Sequence, residues 1–139
     1  MAVLKTGFEA DECVILHIAR YYCFSYMKGS GRYWEDAIDR AVSAFGEKQG
    51  AVVAVSVLNV LRNMRASRKT VFNFQNPYCA ACSAKLTRSE RSLIRTLQCV
   101  RNGDKTGATV EAMILCEGND SEPMMQAIRR LAELMRAGD

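Results

Sequence analysis

Proline and histidine are nearly absent from this chain, with two prolines and one histidine in 139 residues. So few prolines leave long regular elements unbroken. With His17 as the only imidazole, general-base chemistry would fall to carboxylates. Long apolar runs are missing as well. The nearest, residues 51–61, is interrupted by Ser56 and Asn59 and falls short of the ~20 residues a membrane span needs. No membrane partner is therefore predicted. A secretory leader is not expected either, because Glu9, Asp11 and Glu12 stand where its apolar core would begin. The expected location is the cytosol.

The usual catalytic signatures are also lacking. There is no G-x-S-x-G, H-E-x-x-H, Walker A or G-x-G-x-x-G. Gly29-Ser30-Gly31 runs on into Arg32-Tyr33-Trp34, which reads as a helix terminator rather than a phosphate cradle. Glu35, Asp36 and Asp39 cluster on one predicted helix without a second acidic cluster to face them, the pattern of a solvated surface. No catalytic residue is assigned, and the chain reads as non-enzymatic.

What is present is an ordinary globular composition, 49% apolar and 24% charged. The length predicts a single domain over 1–139. Apolar spacing of three and four residues predicts an all-α orthogonal bundle of about six helices. The first starts at Thr6, whose spacing to Glu9 has the form of a capping box. Val14, Ile15, Ile18, Tyr22 and Tyr26 form its stripe, and Gly29 to Gly31 end it. His17, between Leu16 and Ile18, reads as a partly buried structural residue. The second helix covers 33–45, with Trp34, Ile38, Ala41, Val42 and Phe45 on its core face and Gly46 as its cap. The third covers 48–66 and buries Val53, Val57, Val60, Leu61 and Met64. A long irregular loop, about 67–85, follows. The fourth helix opens at Thr87 with a capping box to Glu90 and ends at Asn102-Gly103. The fifth covers 107–116. The sixth starts near Asp120 or Ser121, with Pro123 tolerated in its first turn.

Charge is distributed unevenly. Residues 1–61 hold six Lys/Arg against seven Asp/Glu, residues 62–105 ten against two, and residues 106–139 three against six. Arg62, Arg65 and Lys69 recur at helical spacing, as do Arg88, Arg91 and Arg95. Such stripes can meet successive phosphates. They are the candidate anion-binding residues, and nucleic acid or an acidic protein is the expected partner.

Leu86-Thr87-Arg88-Ser89-Glu90 resembles the L-T-x-x-E opening of the LuxR-type helix-turn-helix. The stretch from Ser121 to Leu131 is loosely similar to that family's recognition helix. The resemblance implies DNA binding by the last third of the chain. Two features depart from that family. The connection over 102–108 is longer, and Pro123 falls early in the recognition helix.

Six cysteines in a cytosolic chain do not imply disulfides, and most read as small buried apolar residues. Cys79 and Cys82 differ, because a C-x-x-C pair supports zinc ligation or thiol redox chemistry. The short connection between the fourth and fifth predicted helices implies an antiparallel hairpin, which returns Cys116 towards this pair. Cys79, Cys82 and Cys116 are the candidate zinc ligands, with His17, Cys13, Cys23, Glu117 or Asp120 as the fourth. Three functions therefore compete. The first is a small regulatory or adaptor protein that binds an anionic partner. The second is a homodimeric or other protein-interaction module clamped by structural zinc, in which Tyr21, Tyr22, Phe24, Tyr26, Tyr33 and Trp34 supply part of the interface. The third is a thiol redox sensor.

Overall fold

In the computed structural model, which describes residues 7–137, the chain is an all-α bundle. Seven helices and no strand occur among those residues: α1 (Ala10–Lys28), α2 (Tyr33–Phe45), α3 (Glu47–Ser67), α4 (Ala80–Ser83), α5 (Arg88–Arg101), α6 (Lys105–Leu115) and α7 (Glu122–Ala137). The count exceeds the expected six by α4, a single turn inside the loop. No helix among the described residues is long and apolar enough to cross a membrane.

Local sequence explains the boundaries. Thr6 lies outside the described residues, and α1 begins at Ala10 with Glu9 as its N-cap. The Glu9 amide donates to the Glu12 carboxylate at 2.8 Å, so a capping interaction forms three residues later than expected. Gly29 ends α1 in the left-handed region, at φ 69°. Gly46 alone joins α2 to α3, and its φ of 88° is one that side chains avoid. Thr87 caps α5 as expected, accepting from the Glu90 amide at 3.0 Å while Glu90 accepts from the Thr87 amide at 2.9 Å. Asp104 caps α6 by accepting from the Gly107 amide at 2.9 Å. The connection after α5 is thus shorter than the sequence implied.

One apolar cluster draws on every long helix. At its centre Ile15 and Ala19 of α1 meet Val57, Val60 and Leu61 of α3, Leu93, Ile94 and Leu97 of α5, and Ile128 and Leu131 of α7. The five core positions expected on α3 are all buried. The buried face of α2 instead turns on Ala37 and Ala41, and Trp34 is 48% exposed, contrary to its expected core role. The correction follows from the close approach of α2 to α3. A Cβ on Gly50 of α3 would lie 2.5 Å from Val42 Cα, so only small residues fit at that crossing. Trp34 stands about two turns away, at the outer end of α2.

Two charged contacts fix α1 antiparallel to α5. At one end Arg101 donates to Asp11 and Glu12, each at 2.9 Å. At the other, Arg20 and Glu90 form an ion pair whose side chains are fully buried, 2.6 Å apart. This second pair holds the long loop in place and positions the candidate site.

Candidate functional site

Arg20 uses its guanidinium as a four-way clamp. Its Nε and Nη2 donate to the two Glu90 oxygens at 2.6 and 3.1 Å. Its Nη1 donates to the Ser83 carbonyl at 3.0 Å, and Nη2 also donates to the Lys85 carbonyl at 2.7 Å. Glu90 in turn accepts from the Gln75 amide at 3.1 Å and the Thr87 amide at 2.9 Å. A buried charge pair is tolerable when its remaining donors and acceptors are met in this way. Residues 75–87 are thereby fastened to α1.

The other end of the loop is tied to the turn after α6. Arg68 Nη1 donates to the Leu115 carbonyl at 2.7 Å. The Glu117 carboxylate accepts from the Thr70 amide at 3.2 Å, from the Thr70 hydroxyl and from the Lys69 amide. These donors, the Thr70 hydroxyl above all, hold the Glu117 carboxyl down at a pKa of about 2. Between these anchors, residues 71–76 run without regular hydrogen-bonded structure, and Phe72 is buried.

This segment, the C-terminal half of α1 and the end of α3 enclose an open groove of about 640 Å³. Phe24, Met64, Phe72 and Phe74 form its apolar floor, and Arg65, Arg68 and Lys69 stand at its edge. Arg65 lies over the Tyr26 ring, 3.7 Å from the centroid. Tyr26 and Met27 remain 37% and 60% exposed. The groove therefore joins flat apolar surface to positive charge.

The candidate cations are all exposed but not all equal. Arg65 and Lys69 line the groove. Arg62, Arg88 and Arg91 make no ion pair among the described residues. Arg95 of α5 faces Glu111 of α6 at 3.5 Å. Of the basic segment's own two acids, only Asp104 stands at the surface. Glu90 is buried against Arg20, and Asp104 is occupied as the α6 cap.

Cys79 caps the start of α4 and Cys82 lies within it; both are half-buried, whereas the other four cysteines are buried. Cys116 does not join the pair. It closes α6, its sulfur 3.7 Å from Met124 Sδ and wholly inside the core. Its direction follows from α6, whose inner positions Ala108, Ala112 and Leu115 face the same core. Of the alternative fourth ligands, Glu117 is engaged by Thr70. No three His, Cys, Asp or Glu residues among the described residues gather in a way that could hold a metal ion.

The aromatics weighed for an interface separate into two sets. Tyr22 and Phe24 are buried, and Tyr22 donates to the Ala54 carbonyl at 3.0 Å. Tyr21, Phe24 and Tyr33 pack edge-on around Tyr78, whose hydroxyl donates to Asp36. Only Tyr26 and Trp34 of the six expected aromatics are exposed. A separate apolar face, Val110, Met113 and Ile114 of α6, is about half exposed. His17 is buried, and its Nε2 has no hydrogen-bond partner among the described residues. Burial, then the nearby Arg20 and Arg40 charges, lowers its pKa from 6.5 to about 4. It is a neutral core residue at physiological pH.

Neither the groove nor the Arg20 clamp follows from local sequence spacing. A buried Arg amid an apolar stripe was their one visible signal, since Arg20 falls on the same helical face as Cys13 and Leu16. The helix-turn-helix expectation requires α6 and α7 to pack together as a pair. Instead α6 packs mainly on α5, and α7 mainly on α3. Comparison with protein-family models, with curated proteins and with solved structures gives no match.

Proposed function

We propose that this protein is a non-enzymatic adaptor that binds single-stranded nucleic acid in the groove between α1, α3 and residues 69–76. The observation that carries this reading is the placement of Arg65 and Lys69 beside Tyr26, Met27 and Phe74 in one open groove. Cations that track a backbone, set beside flat side chains that bases can stack on, are the recurring means of holding a single strand. Arg62, Arg88 and Arg91 supply surrounding positive potential. A duplex presents its bases stacked inward and would gain only the charge term.

The test is fluorescence anisotropy with a labelled mixed-sequence single strand at low salt. The expected result is saturable binding, weaker for a duplex of the same sequence, and at least tenfold weaker for the Arg65→Glu/Lys69→Glu variant. Absence of binding, or equal binding by the variant, overturns the reading.

A second reading, a self-associating interaction module, is favoured by the exposed α6 face of Val110, Met113 and Ile114. Sedimentation equilibrium tests it. A dimer that Met113→Glu converts to monomer supports it, and a monomeric wild type at high concentration removes it.

A further inference from the structure

We propose that Cys79 and Cys82 form a dithiol–disulfide site that reacts with low-molecular-weight disulfides, Cys79 attacking and Cys82 resolving. The inference stands independently of the groove reading. It rests first on backbone geometry. The Ser83 amide donates to the Cys79 carbonyl at 2.8 Å, closing one helical turn. Residues three apart in such a turn have Cα atoms on the order of 5 Å apart, inside the range a disulfide spans without backbone movement.

The two sulfurs also have different surroundings. The Cys82 amide donates to Cys79 Sγ at 3.2 Å, so the Cys79 sulfur is the one that caps the turn. The Cys79 thiol is accordingly shifted down, first by its hydrogen bond with the Cys82 side chain and then by backbone amides, with Lys85 adding a smaller effect. The same hydrogen bond shifts the Cys82 thiol up. A lower pKa gives Cys79 the larger thiolate fraction near neutral pH, and the thiolate is the nucleophile.

Access and anchoring complete the argument. The pair is partly open to solvent, while Cys13, Cys23, Cys99 and Cys116 are buried, so oxidant reaches this site first. Burial pushes the Cys23 thiol up to about 12. The turn is held from below by Arg20 through the Ser83 and Lys85 carbonyls, so its backbone stays in place in both redox states.

The reaction balances without further reagents. Cys79 thiolate attacks one sulfur of the external disulfide, whose S–S bond breaks and releases one thiolate. Cys82, after losing its proton, attacks Cys79 Sγ of the mixed disulfide and displaces the second external thiol. Two cysteine thiols are oxidised by two electrons. One external disulfide is reduced to two thiols, which take up the two protons.

The experiment incubates the reduced full chain with oxidised glutathione at neutral pH and follows intact mass and peptide maps. The wild type is expected to lose two hydrogens, retain no glutathione and yield a Cys79–Cys82 cross-linked peptide. The Cys82→Ser variant is expected to keep one glutathione, on Cys79. The Cys79→Ser variant is expected to react at least tenfold more slowly than Cys82→Ser. Circular dichroism confirms that each serine variant keeps the helical fold. A wild type that remains reduced, a stable wild-type glutathione adduct, or equal rates for the two variants each overturns the proposal.

Discussion

Arg20 shows how one residue can organise a distant segment. Its charge is removed from solvent together with Glu90, and every strong donor it directs at the loop finds an acceptor. Removing one member of such a pair leaves the other buried and unpaired. Arg20→Leu should therefore cost ~3–5 kcal/mol, read as a fall in the urea midpoint. Amide exchange should also accelerate first in residues 75–87. A loss below ~1 kcal/mol would show that the pair is not the anchor described here. His17 supplies a second residue-scale test. Its folded pKa of about 4 lies below the unfolded 6.5, so the unfolded chain binds the proton more readily between these values. The stabilising effect is present above 6.5 and is lost as pH falls towards about 4, a difference of ~3 kcal/mol. Comparing wild type with His17→Gln across this window isolates it, and parallel stability curves would contradict it. His17 was readable as structural from its apolar neighbours. The partner of Arg20 was not, because Glu90 lies 70 residues away and local spacing carries no record of that meeting.

At the scale of elements, the long helices were legible where local signals mark their ends. Gly29, Gly46 and the Thr87–Glu90 box mark ends by backbone conformation and hydrogen bonding, which are local properties. Packing between helices was less legible. Trp34 matched the helical period of a core face, but period alone does not say how closely two helices approach. Gly50 decides that distance between α2 and α3. For Gly50→Ala, helix propensity favours the alanine by ~1 kcal/mol. The new Cβ would also fall 2.5 Å from Val42 Cα and 2.7 Å from the Ala41 carbonyl oxygen, both backbone atoms that cannot rotate away. The clash should win, with a net loss of about 1–3 kcal/mol in thermal or urea unfolding. A stabilised Gly50→Ala protein would mean that the α2–α3 crossing is looser than described.

For the whole molecule, the unbalanced charge of residues 62–105 was plain in the sequence, and the groove was not. The groove needs α1, the end of α3 and the 69–76 segment together, and Arg20 and Glu117 help to hold the loop against them at both ends. The structure also divides the two basic stripes. Arg65 and Lys69 enter the groove, whereas Arg95 is drawn to Glu111. Charge reversal should therefore act unequally. Arg65→Glu/Lys69→Glu should weaken binding at least tenfold, and Arg95→Glu should change it by less than about threefold, since a surface cation already facing a carboxylate contributes little. The most direct measurement is the affinity for a labelled single strand across a salt series. The logarithm of the affinity is expected to fall linearly with the logarithm of salt, with a shallower slope for the Arg65/Lys69 variant because fewer counterions are released. An affinity independent of salt, or a variant with the wild-type slope, would contradict it.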